Sequence, residues 1–207
     1  MKMTLKHERS ILLRDFIFII GPSGIGKTTL AKKLYQHYKS VYIEQNMIPE
    51  FLTTDGKTEV TGEFEEETCW SSTVTLLLNF NKLGYKNVIG LDFDDLRTRD
   101  IPDVFKGFNY ITLKLVCSDY QQNLNQMLNR EAGGLVDTEL LEKMYQTIPK
   151  RNLLINEFEI DVKDKDPEIV FNEAVNLIND ANTSLNYEYT KPSKENFYSW
   201  VFSNGLR

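Results

Sequence analysis

One octapeptide carries most of the recognisable chemistry: Gly21-Pro22-Ser23-Gly24-Ile25-Gly26-Lys27-Thr28 runs as G-x-x-x-x-G-K-[ST]. Each part of that spacing has a physical use. Glycines let the chain turn so that successive backbone N–H groups point inward and make an anion cradle. The helix expected to open at Lys27-Thr28-Thr29 adds the positive end of its dipole. The Lys27 ammonium reaches β- and γ-phosphates, and the Thr28 hydroxyl suits a Mg²⁺ ion. Chance produces such a match about once in a hundred chains of this length. Residues 21–29 therefore read as a site for the phosphates of a nucleoside triphosphate.

Such a loop works only between a strand and a helix, and the sequence supplies both. Phe16–Ile20 is a short, wholly apolar run, the pattern of a central buried strand. From Lys27 to about Tyr38, apolar residues recur at helical spacing. Further strands are expected at Val41–Ile43, Val88–Leu91, Tyr110–Cys117 and Phe158–Val162. Between them lie helices marked by Trp70, Val74, Leu77 and Leu78, by Leu124, Met127 and Leu128, and by Leu140, Leu141, Met144, Tyr145 and Ile148. Asp166-Pro167-Glu168 marks another helix start, with an N-cap acid and proline at the first position. Five short strands alternating with helices predict an α/β fold with a parallel sheet and right-handed crossovers. Two stretches break the alternation. Residues 44–67 have no period and include the acidic run Glu63–Glu67, read as a solvated helix start. Residues 183–207 are polar until Phe197, Trp200 and Val201, which fit one short amphipathic helix.

The composition limits the partners. Twenty-four Lys and Arg against thirty Asp and Glu give a net charge of −6 over 207 residues, unsuited to long nucleic acids or anionic membranes. The longest apolar runs, about five residues, fall well short of the roughly 18 needed to span a bilayer. Cys69 and Cys117 are too far apart for a metal-type pair, and Cys117 reads as a small buried hydrophobe, so a reducing cytoplasm fits. His7 and His37 are too few and too separate for a histidine-based triad or metal centre.

Other residues could act beside the loop. Asp92 ends an apolar strand, where a carboxylate faces a metal across the sheet's C-terminal edge; a plain strand-end acid is the alternative. Asp94 and Asp95 read as the N-cap and first turn of a helix, or as substrate ligands. Arg97 and Arg99 are candidates for holding an anionic substrate. Motifs of GTPases, transporter ATPases and hexameric ATPases are missing: no Asn-Lys-x-Asp follows a late strand, no Leu-Ser-Gly-Gly-Gln occurs, and Phe93 rather than Glu follows Asp92.

The strand, the Gly-Pro-Ser-Gly-Ile-Gly-Lys-Thr-Thr loop, a short second strand ending in an acid and a later basic stretch together resemble the nucleoside-monophosphate kinase and shikimate kinase group of P-loop kinases. The resemblance spans roughly residues 15–182. It implies a three-layer P-loop NTPase fold, with a five-stranded sheet in the order 2-3-1-4-5, helices on both faces and a small lid. It also implies ATP, Mg²⁺ and a small-molecule acceptor, whether nucleoside, nucleotide or small metabolite. Shikimate- and gluconate-type kinases carry Asp-x-Asp after the second strand, where this chain has Glu44-Gln45-Asn46. Glu44 would there hold a metal-bound water or take the acceptor's hydroxyl proton, an exposed strand-end acid being the alternative, and Asn46 would hydrogen-bond the acceptor. The lid would be 129–137, with Arg130 closing over the transferring phosphoryl group and Lys150 or Arg151 as a second cation. The loop Val162–Asp166 resembles the segment that edges the adenine. On this reading residues 1–182 form the domain, 44–67 its acceptor-side cap and 183–207 a tail, in a monomer or homodimer. The rival readings are an ATP-binding regulatory or adaptor protein without a dedicated acceptor and, disfavoured by the acidic charge, a polynucleotide 5′-end kinase.

Overall fold

The structure is a computed structural model that describes residues 13–48, 51, 55–56, 60–91, 95–129, 138–147, 149–193 and 196. Asp92, Asp94, Arg130, residues 131–137 of the expected lid, and Phe197, Trp200 and Val201 lie outside the described residues, as does the side chain of Asn46.

The fold is built outward from β1 (Phe16–Ile20), five apolar residues that are all buried. Side chains alternate across a strand, so this one strand seeds two cores. Ile17 and Ile19 pack with Leu30, Ala31 and Leu34 of α1 (Lys27–Tyr38) and with Val170, Ala174 and Ile178 of α7 (Pro167–Asp180). Phe16, Phe18 and Ile20 face the other way, onto Trp70 and Leu77 of α2 (Gly62–Lys82) and onto Ile101 and Phe105.

Four further strands complete the sheet: β2 (Tyr42–Glu44), β3 (Val88–Leu91), β4 (Tyr110–Val116) and β5 (Glu157–Asp161). All pairs are parallel and the order is β2-β3-β1-β4-β5. The remaining helices are α3 (Asp95–Thr98), α4 (Ile101–Val104), α5 (Tyr120–Leu128) and α6 (Thr138–Thr147). This is the three-layer parallel α/β arrangement expected from the sequence. No helix among the described residues is long and apolar enough to cross a membrane.

Local capping explains where three of the helices begin. Asp166 accepts hydrogen bonds from the Glu168 and Ile169 N–H groups at 2.8 and 3.0 Å, and Asp119 accepts one from Gln122 at 3.1 Å, satisfying first-turn donors. Thr61 caps α2, so the aperiodic stretch ends there and Glu65, Glu66 and Glu67 are exposed early-helix residues. Strand bounds shift by one residue at several ends, and at two of them pairing takes in an acid that polarity would leave out. β2 extends to Glu44 because Glu44 pairs with Leu91. β5 starts one residue early, at Glu157, which pairs with Thr112.

Several charged groups lie inside the fold. Arg14 is 1% exposed; its Nε donates to the Ile178 carbonyl at 2.9 Å and its Nη2 to that of Ala181 at 2.7 Å, so it closes the last turn of α7 onto the start of β1. Arg151 and Glu157 form a bidentate pair at 2.6 Å for both contacts, with both side chains fully buried. Glu157 also accepts from the Leu154 N–H at 2.7 Å. Lys114, equally buried, donates to the carbonyls of Pro149 and Arg151 and pairs with Glu159 at 3.2 Å. Burial and then the Arg151 charge push its pKa down, while Glu157 and Glu159 push it back up. These groups fasten the segment returning from α6 to the sheet edge. Beyond α7, residues 187–192 cross the 99–102 corner. Tyr187 donates to the Pro102 carbonyl, Tyr189 to that of Arg99, and Lys191 pairs with Asp100.

Removing one partner of a fully buried ion pair strands the other charge. Arg151→Met is therefore expected to cost about 3–5 kcal/mol in urea unfolding, and Arg151→Met/Glu157→Leu to recover most of that. A single-variant loss below about 1 kcal/mol would show that solvent reaches the pair.

Candidate active site

The glycine-rich loop begins where β1 leaves the sheet. Gly21 has φ 148°, and a Cβ there would lie 2.6 Å from the Leu115 carbonyl of the neighbouring strand, so no larger residue fits. Pro22 and Ile25 are buried, and Ile25 belongs to the core. They anchor the loop from beneath. Gly26 takes the N-cap position of α1 at φ 101°, with no side-chain cap and no acidic residue in the first turn. The first N–H groups of this twelve-residue helix thus have no side-chain cap, as an anion site requires. Lys27 Nζ folds back to donate to the Gly21 and Pro22 carbonyls at 3.0 and 3.1 Å. Thr28 and Thr29 are exposed. This cradle, too tight for a Cβ at Gly21 and Gly24, fits a polyphosphate.

Glu44 stands along the same edge. The registers Ile19↔Leu91 and Glu44↔Leu91 line up the ends of β1, β3 and β2. Glu44 is 6% exposed, and its Oε1 has no hydrogen-bond partner among the described residues. It is therefore not the exposed strand-end acid that the sequence also allowed. An unmatched carboxylate oxygen in the interior is costly, and a ligand hydroxyl or a metal-bound water would satisfy it.

A cavity of about 220 Å³ opens beside the loop, lined by Gly26, Thr29, Gln126, Val162, Lys165 and Pro167 among others. It lies between α1, α5 and the β5–α7 loop, whose Val162–Asp166 stretch was expected to edge a nucleobase. Lys165 is tied to Glu173 at 2.6 Å.

The other candidate cations have internal partners. Arg97 pairs with Glu67 at 2.8 Å and lies 3.8 Å from Asp100. Arg99 donates to the Pro192 carbonyl and lies 3.9 Å from Asp100. Arg151, offered by the sequence as a second lid cation, is instead the fully buried partner of Glu157. Lys150 is exposed, its Nζ reaching Gln146.

One residue of this site escaped the sequence reading. Asn123 of α5 is fully buried and its Nδ2 donates to the Ser23 carbonyl at 3.0 Å. One turn later, Met127 backs onto Gly24, where a Cβ would lie 2.8 Å from the Met127 Cα. The only available signal was the stripe of Asn123 and Met127 at i, i+4 on one helix face.

Among solved structures, the chain is similar to an unliganded sugar kinase from Janibacter sp. HTCC2649, at TM-score 0.56 and 19% identity over 80% of this chain and 95% of that one. It is also similar to a gluconokinase from Sinorhizobium meliloti 1021, at TM-score 0.56 and 13% identity over 78% and 90%. The chain shares the fold of these structures. A kinase described as putative, from Chloroflexus aurantiacus, matches at TM-score 0.50 and 18% identity over 77% and 95%. No protein-family model and no curated protein matches the chain. At these identities the likeness establishes architecture, and the shared architecture places the glycine-rich loop at the C-terminal edge of a 2-3-1-4-5 sheet.

Two glycines allow a direct check of this loop. At Gly24 an added Cβ meets helix backbone, whereas at Gly26 it meets nothing and only the positive φ resists. Gly24→Ala is expected to cost about 1–3 kcal/mol beyond the backbone strain that both variants share. Thermal unfolding of the two variants makes the comparison, and equal losses would mean that α5 does not press on the loop.

Proposed function

We propose that this chain is an ATP- and Mg²⁺-dependent kinase that transfers the γ-phosphoryl group to a hydroxyl of a small-molecule acceptor. The observation that carries this reading is the buried Glu44 carboxylate with an unmatched oxygen, at the end of β2 on the sheet edge that holds the glycine-rich loop. The hydroxyl of an acceptor is one group that would satisfy it.

In this reading the loop amides and Lys27 bind the triphosphate, and Gly21 and Gly24 let the backbone come close enough. Thr28 and Asp92 would hold Mg²⁺, which when bound neutralises phosphate charge. Glu44 accepts the hydroxyl proton as the acceptor oxygen forms its bond to phosphorus and ADP departs. Arg130, two residues beyond the end of α5, is proposed to close over the transferring group and keep out water. Asn46 and Asp94 are the proposed acceptor contacts.

The internal partners of Arg97 and Arg99 support an acceptor without a phosphate of its own. The similarity to a sugar kinase and a gluconokinase supports a polyhydroxylated acceptor, a sugar or sugar acid. The net charge of −6 and two buried free cysteines support a cytoplasmic setting without long nucleic acids as partners.

The test is acceptor-stimulated ADP release across sugars, sugar acids, nucleosides and nucleotides. One class is expected to stimulate release. With it, Glu44→Gln should lower kcat by about 10²–10⁴-fold with little change in the KM for ATP, and Lys27→Ala should abolish ATP binding. Silence across every class sinks the kinase reading and leaves the adaptor reading standing.

A further inference from the structure

The peptide between Ser23 and Gly24 lies at the middle of the phosphate loop, and one buried side chain decides how it is turned. A loop that gathers N–H groups on its inner side sends carbonyls outward, and each carbonyl needs a partner. For Ser23 that partner is Asn123 Nδ2, at 3.0 Å, on a side chain with no solvent exposure. The C=O of Ser23 and the N–H of Gly24 belong to one planar trans peptide and point in opposite directions. Holding the oxygen against α5 therefore turns the Gly24 N–H away from α5.

Two more observations point the same way. Met127, one turn along the helix, presses on Gly24 so closely that a Cβ would lie 2.8 Å from its Cα and Cβ, which fixes how far the peptide can retreat. The Asn123 Oδ1 has no hydrogen-bond partner among the described residues. A buried amide making one of its four possible hydrogen bonds is a poor choice for packing alone, and an apolar residue of similar volume would avoid that loss. What the amide supplies, and a leucine would not, is the single donor to Ser23.

We propose that Asn123 is a positioning residue: by holding the Ser23 carbonyl on α5, it aims the Gly24 N–H into the phosphate cradle before nucleotide arrives. This rests on the reading of the loop as a triphosphate site. It assigns α5 a second duty besides leading to the lid, that of a rigid backing for the loop.

The test uses the full chain and a fluorescent ATP analogue, mant-ATP, titrated in magnesium chloride. Asn123→Leu fills the same space without a donor, and Asn123→Asp keeps the shape and loses the donor when ionised. Each is expected to weaken binding at least about tenfold at pH 8, the loss of about one hydrogen bond, while Asn123→Leu keeps the wild-type melting temperature. A protonated carboxyl regains an O–H donor, and burial favours that neutral form. The Asn123→Asp affinity, taken relative to wild type, should therefore recover as pH falls toward about 5.5. A role in packing alone would give neither the loss in the stable leucine variant nor that recovery. Binding by Asn123→Leu within about threefold of wild type overturns the inference while leaving the site intact. A wild-type protein that binds no mant-ATP, or a Lys27→Ala variant that binds it equally well, overturns the reading of the loop and this inference with it.

Discussion

The site depends on a steric constraint at the end of the central strand. β1 runs between β3 and β4 with both faces covered, and at Gly21 it must turn out of the sheet directly against the Leu115 carbonyl. Only a residue without a side chain can pass that point. Once the chain turns there, the loop lies across the C-terminal edge of the sheet, and the parallel order brings the end of β3 and then Glu44 alongside. The helices arise from the same choice, since parallel strands require crossovers and those crossovers bury both faces.

Much of this architecture was legible in the residues. The strand at Phe16–Ile20 and the helix at Lys27–Tyr38 have the bounds that the apolar runs and the glycine motif implied, because a five-residue apolar run has few other homes and the motif requires a helix directly after it. The Asp166-Pro167 cap is local chemistry and was equally visible. Strand ends were less so: Glu44 and Glu157 are acids, and polarity argued for ending or delaying a strand that pairing with Leu91 and Thr112 carries on.

The polar interior was barely legible. Arg14, Lys114, Asn123, Arg151 and Glu157 are residue types usually found at the surface, and the partners of Arg14, Lys114 and Asn123 lie far off in the sequence. Arg14 reaches across the chain to Ile178 and Ala181, and Asn123 to Ser23. Periodicity ranks such positions as solvent-facing, and Arg151, which the resemblance offered as a second lid cation, is committed to Glu157. Glu44 could be singled out by its position, but its burial and its unmatched oxygen depend on the neighbours that the sheet supplies.

The guanidinium of Arg14 ties the segment that enters the first strand to the carbonyls that end the last helix, and it also reaches Thr183 just beyond. The two extremities of the folded core are thus fastened by one group. Fraying at either end must first release the other, so the local opening that usually spreads inward from a terminus here meets a ring rather than a free edge.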